Sequence, residues 1–162
     1  MKATEDIRDI FSMFHDGRII AFTGNKDLLT LTIERQKLAE RIDISFDRFY
    51  VELAQIDEIF LSTWPNPFDL PVQILTELSD IFKAELIILS PAIKDEKVVI
   101  ACNQHDITFD YCGGNLTINC HSIKVFDQSK TELTIDEFYT ICKSYWDDVS
   151  NEIEKLITDG KK

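Results

Sequence analysis

Apolar residues recur at helical spacing at both ends of the chain, and this pattern predicts two outer helices. Near the start, it predicts a helix over residues 4–14 whose core-facing members are Ile7, Ile10, Phe11 and Phe14. Near the end, the stretch Thr134-Ile135-Asp136-Glu137 matches the capping box that begins a helix. That last helix is predicted to run to about residue 158, with a core-facing stripe of Phe138, Ile141, Tyr145, Val149, Ile153 and Leu156.

Between these helices, most of the chain alternates apolar and polar residues in the way that is typical of half-buried strands. Residues 18–34 predict a hairpin around the turn sequence 24–27, and in that register Phe22 lies opposite Leu29. Residues 46–64 predict either two strands or one long strand with a bulge, since both segments alternate but a polar stretch separates them.

The segment 84–127 contains almost continuous strand patterns and is predicted to form the centre of the sheet. Residues 107–112 alternate and precede the two glycines at 113–114, which together predict a hairpin with a two-residue loop. After Cys120 the apolar residues move from even to odd positions, so a bulge is predicted near residues 121–122.

These elements predict an α+β fold with a mainly antiparallel sheet in two hairpin-rich halves. The sheet would be flanked by an N-terminal helix, a central helix over residues 72–83 and the long C-terminal helix. Residues 64–71 hold three of the four prolines and form the one credible internal boundary. The prediction is therefore a single compact domain over residues 1–162, with 1–63 and 72–162 as its sub-lobes.

The charge of the chain narrows the classes of partner. It carries 29 acidic against 17 basic residues, a net charge of −12. Nucleic acid and anionic membrane surfaces are excluded as expected partners, because binding them requires clusters of Lys and Arg. The sequence also has no apolar run long enough to cross a bilayer and no signal-peptide pattern at its start, so a cytoplasmic location is expected.

Motifs that carry catalytic chemistry are missing from the sequence. There is no Gly-rich phosphate loop, no HExxH, no GxSxG and no calcium-binding loop, and no cofactor or metal is predicted. The four cysteines form no CxxC pair, which favours reduced structural thiols. A small-molecule or enzymatic site near Cys112, Cys120 and His121 is the alternative, but the predicted register puts Cys120 and His121 on opposite faces.

Acidic residues cluster in two places, and both are candidates for a contact surface. Solvated faces are the common explanation for such clusters, because adjacent carboxylates on a helix point about 100° apart and do not converge on one ion. The functional alternative is a surface for a basic protein partner, since aromatic anchors and complementary charge recur at interfaces. The candidate residues are Tyr139, Trp146, Asp147, Asp148, Glu152, Asp57 and Glu58.

The leading functional hypothesis is a non-catalytic acidic binding protein. Its type would be an antagonist such as a bacterial immunity protein, which neutralises a basic protein such as a toxin nuclease. Two alternatives stay open at this point. One is the small-molecule-binding or enzymatic domain just described, and the other is a structural subunit that forms homo-oligomers through an edge strand or through residues 64–71.

Overall fold

The computed structural model describes residues 3–160, which form four helices and eight strands. The helices are α1 (Thr4–Met13), α2 (Gln36–Ala39), α3 (Leu78–Ile81) and α4 (Ile135–Gly160). The strands are β1 (Arg18–Gly24), β2 (Leu28–Glu34), β3 (Arg48–Pro65), β4 (Ile74–Leu75), β5 (Leu86–Lys94), β6 (Lys97–Gln104), β7 (Tyr111–Phe126) and β8 (Glu132–Leu133).

All eight strands belong to one antiparallel sheet, in the order β4-β3-β2-β1-β5-β6-β7-β8. Strand β3 also pairs with β7, so the strands between them close into a ring. The α+β prediction with mainly antiparallel pairing is confirmed. Strands from both sides of the segment 64–71 lie in this one sheet, because β3 ends at the start of that segment and β7 follows it.

The two longest strands, β3 and β7, form the spine of the sheet. For the segment 46–64, the sequence left two alternatives open, and the structure shows the single long strand, β3. The core-facing positions of β7 do change parity after Cys120, as predicted. The extra residue, however, lies in β3: Ile56 and Glu58 pair with the adjacent residues Cys120 and Asn119, which leaves Asp57 between them.

The core lies between the sheet and the two outer helices. Helix α1 buries the four apolar residues predicted for it. At the centre, the ring of Phe14 lies 4.8 Å from that of Phe138 on α4 and 5.5 Å from that of Phe49 on β3, measured between centroids. Helix α4 begins as predicted, because the Thr134 hydroxyl oxygen accepts a hydrogen bond from the Glu137 backbone N–H at 3.1 Å.

The predicted register of the first hairpin is wrong by two residues. Phe22 pairs with Leu31, and Gly24 pairs with Leu29. The loop is shorter than predicted because the Asn25 side-chain oxygen accepts a hydrogen bond from the Asp27 backbone N–H at 2.8 Å, which lets Gly24 remain in β1.

The predicted hairpin at residues 113–114 is also wrong, because both glycines lie inside β7. Gly114 pairs with Cys102 of β6 on one side and with Thr63 of β3 on the other. Glycine is required here for close packing of three strands: a Cβ on Gly113 would lie 2.2 Å from the Cys102 carbonyl oxygen. Residues 107–110 form a loop instead of the predicted strand.

The predicted helix over residues 72–83 is shorter in the structure and begins later. The Gln73 carbonyl accepts a hydrogen bond from the Thr63 backbone N–H at 3.0 Å, and the Gln73 N–H donates to the Thr63 hydroxyl at 2.9 Å. These bonds hold the start of the segment against β3 and lead into β4, so that only α3 is helical. Within residues 3–160, no helix combines the length and the apolar character needed to cross a bilayer.

Candidate functional site

Helix α4 divides into a packed half and a solvated half. In the first half, Phe138 and Cys142 are buried against the core. From Ser150 to Gly160 every residue is exposed. These eleven residues, at about 1.5 Å of rise each, extend the helix about 16 Å beyond its packed part.

The apolar face of α4 continues into the solvated half, which corrects the predicted core-facing stripe. Ile153 and Leu156 lie on the same side of the helix as Phe138 and Cys142, because the steps between them follow the helical repeat. Ile153 is 53% exposed and Leu156 is 71% exposed, and Ile157 beside them is exposed as well. We call Ile153, Leu156 and Ile157 the distal face.

A groove of about 430 Å³ lies beside this helix, between α4 and the segment that begins with α2. Apolar atoms come from Tyr145 and Val149 on α4 and from Ile44, whose side chain is 82% exposed. Charged residues also line the groove, and they are Lys37, Glu40, Arg41, Asp148 and Glu152. The groove therefore combines a small apolar surface with carboxylates and two cations.

Arg41 organises one wall of this groove. Its guanidinium forms an ion pair with Asp148 and donates a hydrogen bond to the Ser144 hydroxyl at 3.4 Å. The same guanidinium lies over the ring of Tyr145, 5.6 Å from its centroid, and Arg35 lies over that ring at 5.2 Å. Both arginines are thus within cation–π range of the Tyr145 ring.

The predicted contact residues on α4 lie on different sides of the helix. Tyr139 and Trp146, seven residues apart, are both exposed on the side that leads to Ile153. Asp148 and Glu152 face the groove. Asp147 lies on the far side, where its carboxylate accepts a hydrogen bond from the Lys143 ammonium at 2.7 Å.

The other two predicted contact residues lie on the sheet and not on this surface. Asp57, at the bulge of β3, has its carboxylate 3.2 Å from the His121 imidazole nitrogen on β7. Glu58 forms an ion pair with Lys97 on β6. Both carboxylates therefore face basic side chains of neighbouring strands, and the structure does not bring them together with the acidic residues of α4.

The residues predicted for the acidic surface include Asp148 and Glu152 of the groove, but not its apolar residue Ile44 and not the distal face. Nothing in the sequence marks Ile44, since it is an isolated apolar residue between Asp43 and Ser45. Ile153 and Leu156 do show a signal, because the apolar stripe continues without a break, but periodicity alone does not tell a packed stripe from an exposed one. Across the part of the chain that the structure describes, no three His, Cys, Asp or Glu side chains are grouped to hold a metal ion.

The cysteines near His121 have different environments. Cys120 is buried, and desolvation raises the pKa of its thiol to about 11. Cys112 is exposed, with its sulfur 3.6 Å from the Trp64 carbonyl oxygen. Because the thiolate is the nucleophile, the raised pKa leaves Cys120 protonated and unreactive at neutral pH.

The rate of reaction with a thiol reagent should therefore distinguish Cys112 from the other three cysteines. We expect one thiol per chain to react promptly with a disulfide reagent at neutral pH, and four after unfolding. The buried thiols are shielded, and burial raises the pKa of Cys102 and of Cys142 to about 12. A Cys112→Ser variant should lose the prompt phase, as followed by absorbance; prompt reaction in that variant would contradict the structural role of Cys120.

Comparisons of the chain with models of protein families, with characterised proteins and with solved structures gave no match.

Proposed function

We propose that this protein is an acidic binding protein that takes up a basic, amphipathic segment of another protein along α4, as an immunity-type antagonist would. The observation that carries the proposal is the exposed distal face, in which Ile153 and Leu156 continue a stripe that is buried only in the first half of the helix. Exposed apolar surface of this kind on an ordered element is a mark of interaction sites.

The lack of packing in the second half of α4 favours a partner on the distal face. Most of the stability of a helix in a protein comes from packing of its amphipathic face. The eleven residues from Ser150 to Gly160 have no buried side chain among them. Covering Ile153 and Leu156 would stabilise this half and would remove apolar area from water, at roughly 25 cal/mol per Å².

Charge favours a basic occupant over a second copy of this chain. Asp147 and Asp148 are already paired, but Glu152, Glu154 and Asp159 form no ion pair with any residue between 3 and 160. Lys155 is the one base among residues 150–160. Two copies of α4 would bring these carboxylates together, whereas Lys or Arg on a partner would pair with them and speed association.

The groove gives the proposed partner a second point of contact. An apolar side chain could pack against Tyr145, Val149 and Ile44, and cations on either side of it would meet Glu40 and Glu152. Arg41 would stay paired with Asp148 and so form a fixed wall. The burial of Cys120 and the raised pKa of its thiol favour binding over catalysis near His121.

A designed peptide tests the proposal directly. The probe is an amphipathic peptide of about 14 residues, four helical turns, with Leu at helical spacing and Lys on both flanks. We expect wild-type protein to bind this peptide and the Ile153→Ser/Leu156→Ser double variant to bind at least about tenfold more weakly, because each buried aliphatic side chain contributes about 1.5–3 kcal/mol. Calorimetric titration measures both affinities.

Two controls separate the distal face from general attraction to an acidic protein. The first is Ile107→Ser, which removes an exposed apolar side chain from a distant loop and should leave binding unchanged. The second compares Glu152→Gln/Glu154→Gln with Asp95→Asn/Glu96→Gln, which carry equal changes in charge; only the first pair should weaken binding markedly. Equal binding by all variants, or equal binding of the same peptide with Glu in place of Lys, would reject the proposal.

A further inference from the structure

A second exposed apolar surface differs from the distal face of α4 because few charged residues surround it. It follows β3 and consists of Phe68, Leu70, Val72 and Ile74, which we call the edge surface. All four side chains are exposed, Phe68 to 92%. From Trp64 to Thr76 the only charged residue is Asp69, although 28% of the whole chain is charged.

The edge surface ends in a strand with one unpaired side. Strand β4 is the terminal strand in the sheet order, and among residues 3–160 it pairs only with β3. Both the N–H and the C=O of Gln73 bond to Thr63 of β3. Because bonding directions alternate along an antiparallel strand, the N–H and C=O of Ile74 point away from β3, toward the open edge.

The edge surface is held in place before anything binds to it. The Asn66 N–H donates to the Asp110 carbonyl oxygen at 3.0 Å, and the Leu70 N–H donates to the Pro67 carbonyl oxygen at 3.1 Å. Pro65, Pro67 and Pro71 restrict the backbone torsion φ along the segment. Ordering a partner against a surface that is already fixed loses less conformational entropy than ordering a flexible loop.

We propose that the edge surface binds a second copy of this chain, with β4 pairing antiparallel to β4 of the second copy across a two-fold axis. Ile74 would then lie opposite Ile74 of the second copy, and their N–H and C=O groups would form two reciprocal hydrogen bonds. Phe68 and Val72 would cover apolar surface on the other copy.

The absence of charge on the edge surface favours a second copy of the chain as its occupant. Two chains of net charge −12 repel each other over most of their surface, and this repulsion is least where charged residues are absent. The edge surface is such a place, whereas the distal face of α4 is flanked by carboxylates. The proposal is independent of the binding function proposed for α4, because the two surfaces share no residue.

Sedimentation velocity of the full chain tests the dimer. We expect the weight-average mass of the wild type to rise from 18.7 kDa toward twice that value as concentration increases from micromolar to millimolar. Phe68→Asp and Ile74→Asp should each weaken dimerisation at least tenfold, because they place like charges close to the two-fold axis. Phe68 is so exposed that its replacement leaves the fold unchanged, which circular dichroism would verify.

Ile44→Asp is the matched control, because Ile44 is equally apolar and highly exposed but lies in the groove beside α4. It should dimerise like the wild type. Hydrogen exchange gives a separate readout: the Ile74 amide should exchange more slowly at dimer-forming concentrations. A wild type that stays at 18.7 kDa throughout, an Ile44→Asp effect as large as that of Phe68→Asp, or an Ile74 amide insensitive to dimerisation would overturn the proposal.

Discussion

Replacing Phe138 by alanine is expected to lower the free energy of unfolding by about 3–5 kcal/mol, the usual range for a buried aromatic side chain. Phe138 is fully buried, and its ring lies 4.8 Å from that of Phe14, the residue that follows α1, and 5.4 Å from that of Phe49 on β3. The substitution would leave a cavity where α1, α4 and the sheet meet. Domains of this size are stable by only about 5–15 kcal/mol, so much of the stability would be lost.

The matched control for this change is the next residue on the same helix. Tyr139 is also aromatic but is exposed, so Tyr139→Ala should change the free energy of unfolding by less than about 0.5 kcal/mol. Urea unfolding followed by circular dichroism measures both variants. A loss below about 1 kcal/mol for Phe138→Ala would mean that α4 is not anchored through this residue.

Replacing Gly113 by alanine is expected to lower the free energy of unfolding by about 3 kcal/mol, through backbone strain and a steric clash. The φ angle of Gly113 is 145°, which residues with a side chain rarely adopt. A Cβ at this position would lie 2.2 Å from the Cys102 carbonyl oxygen and 3.0 Å from the Trp64 ring. The carbonyl belongs to the backbone of β6, so β6 would have to move away from β7.

Gly160→Ala provides the comparison for this second prediction. No atom lies within 4 Å of the position that a Cβ would occupy at Gly160, and alanine favours helix over glycine. That variant should be as stable as the wild type or slightly more stable. Equal stability of Gly113→Ala and the wild type, measured by the same urea unfolding, would restore a flexible loop at residues 113–114 as the better description.

The parts of the fold that the sequence predicted well are those in which local patterns and packing agree. The capping box at Thr134 marks the start of α4, and the apolar spacing of α1 identifies its four buried residues. The change of parity after Cys120 is also confirmed, but the bulge predicted at residues 121–122 is not, because the extra residue is Asp57 of β3. In each case the signal comes from residues a few positions apart, where the geometry of a helix or strand leaves few choices.

The errors arose where distant segments decided the conformation. Gly113 and Gly114 match a hairpin loop in sequence, but β6 and β3 on either side of β7 use them for close strand packing. Similarly, the apolar residues after Pro71 fit a helix, but the hydrogen bonds between Gln73 and Thr63 draw them onto the edge of β3. In both cases the deciding contacts lie ten or more positions away in the chain, so local propensity could not include them.

For the candidate site, the sequence by itself determined the chemistry: an acidic chain, a long amphipathic last helix, and aromatic and acidic residues on it. Only the tertiary structure decided where that helix leaves the body of the protein. Periodicity predicts a face, but burial depends on whether other elements cover it, and every residue of α4 from Ser150 onward is exposed. For this reason Ile153 and Leu156, which the sequence placed in the core, lie on the exposed distal face.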